Sequence, residues 1–243
     1  MKKIISLILT LMLTFMMSVS GFAETNATTT TVNGETITTE VIQDDALYRI
    51  VETSDSSGTY MTKFNKTTNE VSVFKEGELQ QSEVITPKDP SSPTSDPPVT
   101  KDSPSYVTGP TDSGTYTEKG TDYWFDLYYK VSFYENDTVG WTISLSDAAY
   151  PYYKETSTNR DDLENFREAV NTAETKEDTV IATAGAAVAS LYAGVLSSGL
   201  TGGTSVIVGV LLAIGGGLTA AIAGFEAFDA NRDAEYYYYR LKS

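Results

Sequence analysis

The run TVIATAGAAVASLYAGVLSSGLTGGTSVIVGVLLAIGGGLTAAIAGF, Thr179 to Phe225, holds 47 consecutive residues without a charge. Elsewhere the 243-residue chain is acidic, polar and rich in tyrosine. A segment of this kind has to be kept from water, in a bilayer or in a protein core. The TGG at 201–203 divides it into Val180–Leu200 and Thr204–Phe225. At a rise of about 1.5 Å per residue, each arm as one helix is roughly 32 Å long, against a hydrocarbon core of about 30 Å. Paired glycines close one helix and open another, so the predicted shape is a helical hairpin with Gly202 and Gly203 at its turn.

Small residues recur every four positions in both arms. Ala182, Ala186, Ser190, Gly194 and Ser198 mark the first, and Gly209, Ala213, Gly217 and Ala221 the second. Such ridges let two helices approach closely, which is how membrane helices pack. The expected pairing sets Gly209, Ala213 and Gly217 against Ala186, Ser190 and Gly194. GGG at 215–217 predicts a bend in the second arm. Three readings of the stretch stand side by side: two resident transmembrane helices, the buried centre of a helical domain, or a metastable hairpin hidden until it enters a target membrane. TGG carries no Lys or Arg to hold it in the cytoplasm, which disfavours the first. Beyond Phe225 the helix is expected to continue into EAFDANRDAEYYYYRLKS. Tyr236, Tyr237, Tyr238 and Tyr239 fit either a membrane–water boundary or a packing face against aromatic strands.

The first 23 residues read as a secretory signal. Lys2 and Lys3 precede the apolar Ile4–Val19, and SGFA places cleavage after Ala23. An uncleaved N-terminal anchor is the other reading. Without cysteine the chain has no disulfide and no lipid-bearing thiol, and this usage suits a Gram-positive bacterium. The expected location is extracellular, with the cell membrane as the alternative. Removing the two signal lysines takes the formal net charge from −16 to −18. That charge excludes nucleic acid as a partner, because phosphate recognition needs a basic face. It also excludes simple adsorption to anionic lipid, so any membrane action rests on apolar surface.

The remaining chain divides by pattern. Residues 24–34 are Thr-rich and predicted mobile. From Glu35 to about residue 85, short alternating runs (ETITTEVI, LYRIVET, TYMTKF, EVSVF) are separated by SDSSG, NKTTN and KEG, which predicts a β-meander. Residues 86–114 hold seven of the eight prolines and read as an extended linker between two bodies. DYWFDLYYKVSFY and TVGWTISLS alternate large apolar residues around END at 135–137, predicting an aromatic β-hairpin with one apolar face. Residues 158–178 predict an amphipathic helix capped at Thr158 or Asn159, with Leu163, Phe166 and Val170 on one face. The expected fold class is α+β: a meander (24–85), a linker (86–114), and an aromatic hairpin packed with a glycine-rich apolar helical hairpin (115–243).

Catalytic chemistry is poorly supplied. Without His or Cys there is no imidazole base, no thiol nucleophile and no metal ligand of either type. GGTS at 202–205 lacks the lysine of a phosphate loop. Asp229, Asn231 and Asp233 have the spacing that opens a calcium loop, but Ala234 stands where glycine is needed and Arg240 where glutamate is. No catalytic residue, metal or cofactor is expected. In the order of its parts, from signal through meander, linker and aromatic hairpin to glycine-rich apolar hairpin, the chain resembles large secreted bacteriocins of Gram-positive bacteria, in particular the geobacillin-like high-molecular-weight type. The apolar hairpin is also similar to the membrane-inserting hairpin of pore-forming colicins. The resemblance implies killing of related bacteria by membrane damage. It also implies the lipid membrane of target cells as a partner, an immunity protein in the producer, and oligomerisation on insertion. Residues 24–85 are then a pro-region or a receptor-binding part. The alternative function is a cell-envelope protein anchored by two helices, with its β-modules outside.

Overall fold

The computed structural model describes residues 27–32, 34–88, 115–133, 139–145, 150–198 and 203–243. Ala23, Gly202, the linker from residue 89 and the turn at 135–137 lie outside them. The fold is α+β, with two antiparallel sheets and four helices among the described residues.

The first sheet is a six-stranded meander: β1 (Thr28–Val32), β2 (Glu35–Asp44), β3 (Tyr48–Asp55), β4 (Gly58–Asn65), β5 (Glu70–Lys75) and β6 (Glu78–Val84), each paired to the next. Alternation decides its inner face. Ile37, Val51, Phe64, Val71 and Val73 point inward and are buried, with Thr39, Thr53 and Thr62 on the same face. The threonine run predicted mobile forms β1, where Thr30 lies opposite Ile37. Threonine is β-branched, and a paired strand uses that preference.

The second sheet has the order β10-β9-β8-β7, from β7 (Thr115–Thr121), β8 (Tyr128–Phe133), β9 (Val139–Ser144) and β10 (Tyr152–Lys154). The aromatic hairpin is its centre, where Val131 pairs with Trp141 and Tyr129 with Ile143. Those four side chains are buried. Residues 123–127, read above as part of the strand, form a loop instead.

The helices are α1 (Arg160–Ala184), α2 (Ala186–Ser197), α3 (Thr204–Ile214) and α4 (Leu218–Lys242). Asn159 precedes α1, and its side chain accepts a hydrogen bond from the Thr156 amide rather than from the helix. The amphipathic helix does not stop at residue 178. It runs on to Ala184, and Gly185 at φ 84° ends it. Gly203 precedes α3, as the TGG break predicts. The second arm also breaks: Gly215, at φ 119°, is left-handed and closes α3, and α4 begins after Gly217. The first arm is therefore interrupted at Gly185 where one helix is expected, the second at the GGG bend the sequence predicts, and no described helix is long and apolar enough to cross a membrane.

Two cores result. One joins the inner face of the meander to α2, α3, the first half of α4 and Trp124. The other joins the second sheet to Leu163, Phe166 and Val170 of α1 and to Ala234 and Tyr238 of α4. The antiparallel pair α1–α4 spans both, tied by Lys176–Glu226 at 2.6 Å and Arg240–Asp162 at 3.2 Å. The apolar helix α3 thus packs on β3 and β4 of the meander, while the aromatic sheet packs on α1 and the end of α4.

After β6 the chain crosses α2. Ile85 and the Thr86 carbonyl lie against Gly194, and the Lys88 amide donates to the Ser190 carbonyl at 2.9 Å. A β-carbon at Gly194 would collide with the Thr86 carbonyl. Gly194→Ala is expected to cost about 1–3 kcal/mol by overpacking, despite the roughly 1 kcal/mol that alanine gains in helix propensity. Gly217→Ala, where a β-carbon meets nothing within 4 Å, is expected to cost under about 1 kcal/mol. Denaturant titration of both variants measures the difference.

Candidate functional site

The sequence feature that sets this chain apart is centred on α3. Its ten residues Ser205–Ile214 are all buried, so it has no solvent face. A helix apolar on every side has to be enclosed on every side. The meander covers one flank, α2 and α4 the others.

The cover is polar where it lies closest. A β-carbon built on Gly209 would stand 3.0 Å from both Cγ2 and Oγ1 of Thr53 and 3.3 Å from Oγ1 of Thr62. Glycine is what allows helix and sheet to approach this far. The two threonine hydroxyls are buried and have no hydrogen-bond partner among the described residues, and neither has Nε of Arg49. The aliphatic side chains of the helix offer nothing to satisfy them, and the Ser205 hydroxyl on α3 is not bonded to either. Each such group costs about 1–3 kcal/mol, so the seat of α3 is weaker than its area implies.

In this structure the small-residue ridges do not face one another. Gly209 faces Thr53 and Thr62, and Gly194 faces Ile85 and Thr86. Ala186 and Gly217 are exposed, while Ser190 is half-buried with its hydroxyl on the Ala186 carbonyl. Ala213 and Ala221 are buried in the first core. Gly203 is exposed and precedes α3. The ridges serve close approach, but toward the β-meander and its exit strand. The tyrosines of α4 divide. Tyr238 is buried 6.4 Å from the Phe166 ring and Tyr237 packs on the same core, whereas Tyr236 and Tyr239 are exposed.

Tyr192 locks the enclosure. Its hydroxyl donates to the Leu211 carbonyl at 2.6 Å, satisfying one of the orphan acceptors at the end of α3. The ring fills the space a side chain at Gly216 or Gly224 would need. Burial pushes its phenol well above the ordinary range.

A second polar feature lies where the two cores meet. The loop Asp122–Leu127 drives Trp124 into the first core and Leu127 into the second. Asp122 gathers the loop: Oδ2 accepts from the amides of Trp124 (3.3 Å) and Phe125 (2.7 Å), and Oδ1 from Leu127 (2.6 Å). Glu177 of α1 accepts the Tyr123 amide at 2.7 Å. Both carboxyls are buried, and the Tyr123 amide held by Glu177 follows directly on Asp122, so two charges there would stand side by side and a proton kept on one of them relieves the repulsion. Burial, then the neighbouring Asp122 charge, push Glu177 up to about 10. Burial also raises Asp122, opposed by its hydrogen bonds from Glu177 and three amides. Glu177, with fewer donors, therefore holds the proton and Asp122 the charge. Lys88 completes the clasp, its ammonium on the Trp124 carbonyl and 3.4 Å from Asp126.

Sequence reasoning missed Thr53, Thr62, Tyr192 and the Asp122–Glu177 pair. For Glu177 a signal existed: it stands on the buried stripe Phe166, Val170, Ala173, Val180, where a lone carboxyl needs a partner. For Tyr192, the signal was the one bulky polar side chain in an otherwise small and aliphatic run.

Thr53→Val with Thr62→Val keeps the shape and removes the two orphan hydroxyls. The double variant is expected to be more stable than the parent by about 2–6 kcal/mol in urea titration, about 1–3 kcal/mol for each hydroxyl. Equal or lower stability would show that the hydroxyls are satisfied. No protein-family model, no curated protein and no solved structure matches this chain.

Proposed function

We propose that this protein is a secreted, bacteriocin-like antibacterial protein that acts by placing its uncharged segment, residues 180–225, in the lipid membrane of target cells. The observation that carries the reading is the enclosure of α3. A helix with no polar face is held in water-compatible form by a separate β-layer, and that layer meets it through unpartnered hydroxyls. Removal of the layer bares an apolar surface that a bilayer accepts and water does not. On this reading the meander is a cover and the proline-rich linker the place where it is set free.

The glycines that break the helices supply the change of shape. Straightening at Gly215–Gly217 joins α3 to the first turns of α4 as Thr204–Phe225, about 33 Å long and without a charge. Tyr236 and Tyr239, already exposed, then stand at the membrane–water boundary. Further copies of the chain are the expected partners on insertion, and an immunity protein protects the producer. The acidic balance argues against nucleic acid as a partner.

Ala213→Asp is a poor test, because Ala213 is enclosed in the first core and a charge there would break the fold itself. A reversible lock is cleaner. The chain has no cysteine, and Gly209 approaches Thr53 closely enough for the β-carbon separation of about 3.5–4.5 Å that a disulfide needs. The full mature chain carrying Thr53→Cys and Gly209→Cys, nicked in the linker by limited proteolysis, is added to dye-loaded vesicles of bacterial lipid. The nicked parent is expected to release dye. The oxidised variant is expected to be silent and to regain release on reduction. Failure of the nicked parent to release dye overturns membrane action. Equal release by the oxidised variant overturns the cover role of the meander.

A further inference from the structure

The loop Asp122–Leu127 enters both cores, as α1 and α4 do, and its hold is unusual. Trp124 is buried, yet its Nε1 has no hydrogen-bond partner among the described residues, and Oε1 of Glu177 accepts from no donor. The loop is therefore retained by the amides gathered on Asp122, the Lys88 clasp, the Tyr123 amide on Glu177, and the carboxyl–carboxylate pairing with α1. The last of these exists only while one proton is shared. Without it two negative charges would be buried side by side.

We infer that the Asp122–Glu177 pair is a proton-held latch, and that loss of its shared proton withdraws the Trp124 loop from the core around α3 while both sheets remain folded. The inference concerns the stored form and stands whether or not the protein acts on membranes.

The surroundings leave no other way to accommodate a second charge. On α1 the neighbours are Glu174 and Asp178, both acidic. On the loop is Asp126, and Lys88 from the meander exit is engaged with it and with the Trp124 carbonyl. From α4 comes Glu226, engaged with Lys176 of α1. Among the described residues no ion pair reaches either Asp122 or Glu177. Deprotonation transfers the proton from Glu177 to hydroxide and leaves two carboxylates facing each other in a dry site. The cheapest relief is for the loop, bound to α1 through the Tyr123 amide, to move out with its charge into water.

The sign follows from the direction of the shift. Glu177 binds its proton more tightly in the folded state than in the unfolded one, where its value is 4.5. The latch is at full strength below that value and is lost as pH rises through about 10. Glu177→Gln reproduces the protonated form permanently, its amide donating to Asp122 and its oxygen accepting from Tyr123.

The full mature chain labelled with fluorotryptophan gives two fluorine resonances, from Trp124 and Trp141, assigned by Trp124→Phe. From about pH 6 to about pH 11 the Trp124 resonance of the parent is expected to shift to a solvent-exposed position, with far-UV circular dichroism unchanged. In Glu177→Gln it is expected to stay buried throughout. A Trp124 signal that remains buried to the alkaline limit in the parent, or that opens identically in Glu177→Gln, overturns the latch. If Glu177→Gln fails to fold, Asp122→Asn removes the need for the shared proton from the other side. It is expected to keep Trp124 buried, and opening at the parent's pH would overturn the proposal equally.

Discussion

The structure depends on one constraint: α3 has no side that water will accept. An amphipathic helix can lie on a surface, but Ser205–Ile214 offers no polar stripe. Every neighbouring element is placed to enclose it. The meander supplies a flat face from β3 and β4, Gly209 lets that face come close, and α2 and α4 close the remaining sides. The meander would be marginal by itself, since a single layer of about 50 residues buries little. Against α3 its inner valines and Phe64 become part of a continuous core. Sheet and helix therefore solve each other's solvation problem.

The enclosure is made with polar compromises rather than with an optimised apolar surface. Thr53 and Thr62 face the helix where valine would fit, and their hydroxyls go unmet. Tyr192 crosses the core to reach a helix carbonyl. Asp122 and Glu177 are both buried where the Trp124 loop meets α1. Replacing such groups by apolar ones commonly adds stability, so the enclosure is held less tightly than an all-apolar one would be. The breaks at Gly185 and Gly215–Gly217 fit the same view, because a helix interrupted by left-handed glycine folds back on itself in water and is straightened only by a change of surroundings.

Much of the architecture was legible in the chain. Period-two alternation found the meander and the two aromatic strands, because each strand has one buried face and the pleat forces the pattern. Leu163, Phe166 and Val170 found the buried face of α1, and TGG marked the break before α3. The errors share one origin. A threonine run, a Tyr-Trp-Phe run and an alanine-rich helix end are each locally ambiguous, and long-range contacts resolved them. Pairing with β2 made Thr28–Val32 a strand. The hydrogen bonds to Asp122 folded residues 123–127 into a loop that alternation had read as strand. Small residues at four-residue spacing signalled close packing correctly, but not against what.

The sequence by itself determined that the most apolar part of the uncharged run must be hidden from water, that glycines would break the run, and that the flanking modules are β-rich, acidic and free of His and Cys chemistry. Those properties reside in composition and local spacing, which any fold of the chain has to respect. Only the tertiary structure decided which surface hides the apolar helix, that Gly209 and Gly194 face Thr53, Thr62 and Thr86 rather than one another, and that two carboxyls more than 50 residues apart are buried on the same loop. The reason is physical: desolvation, orphan hydroxyls and shifted protons arise from contacts between distant segments, and no local pattern records which distant segment will come to rest there.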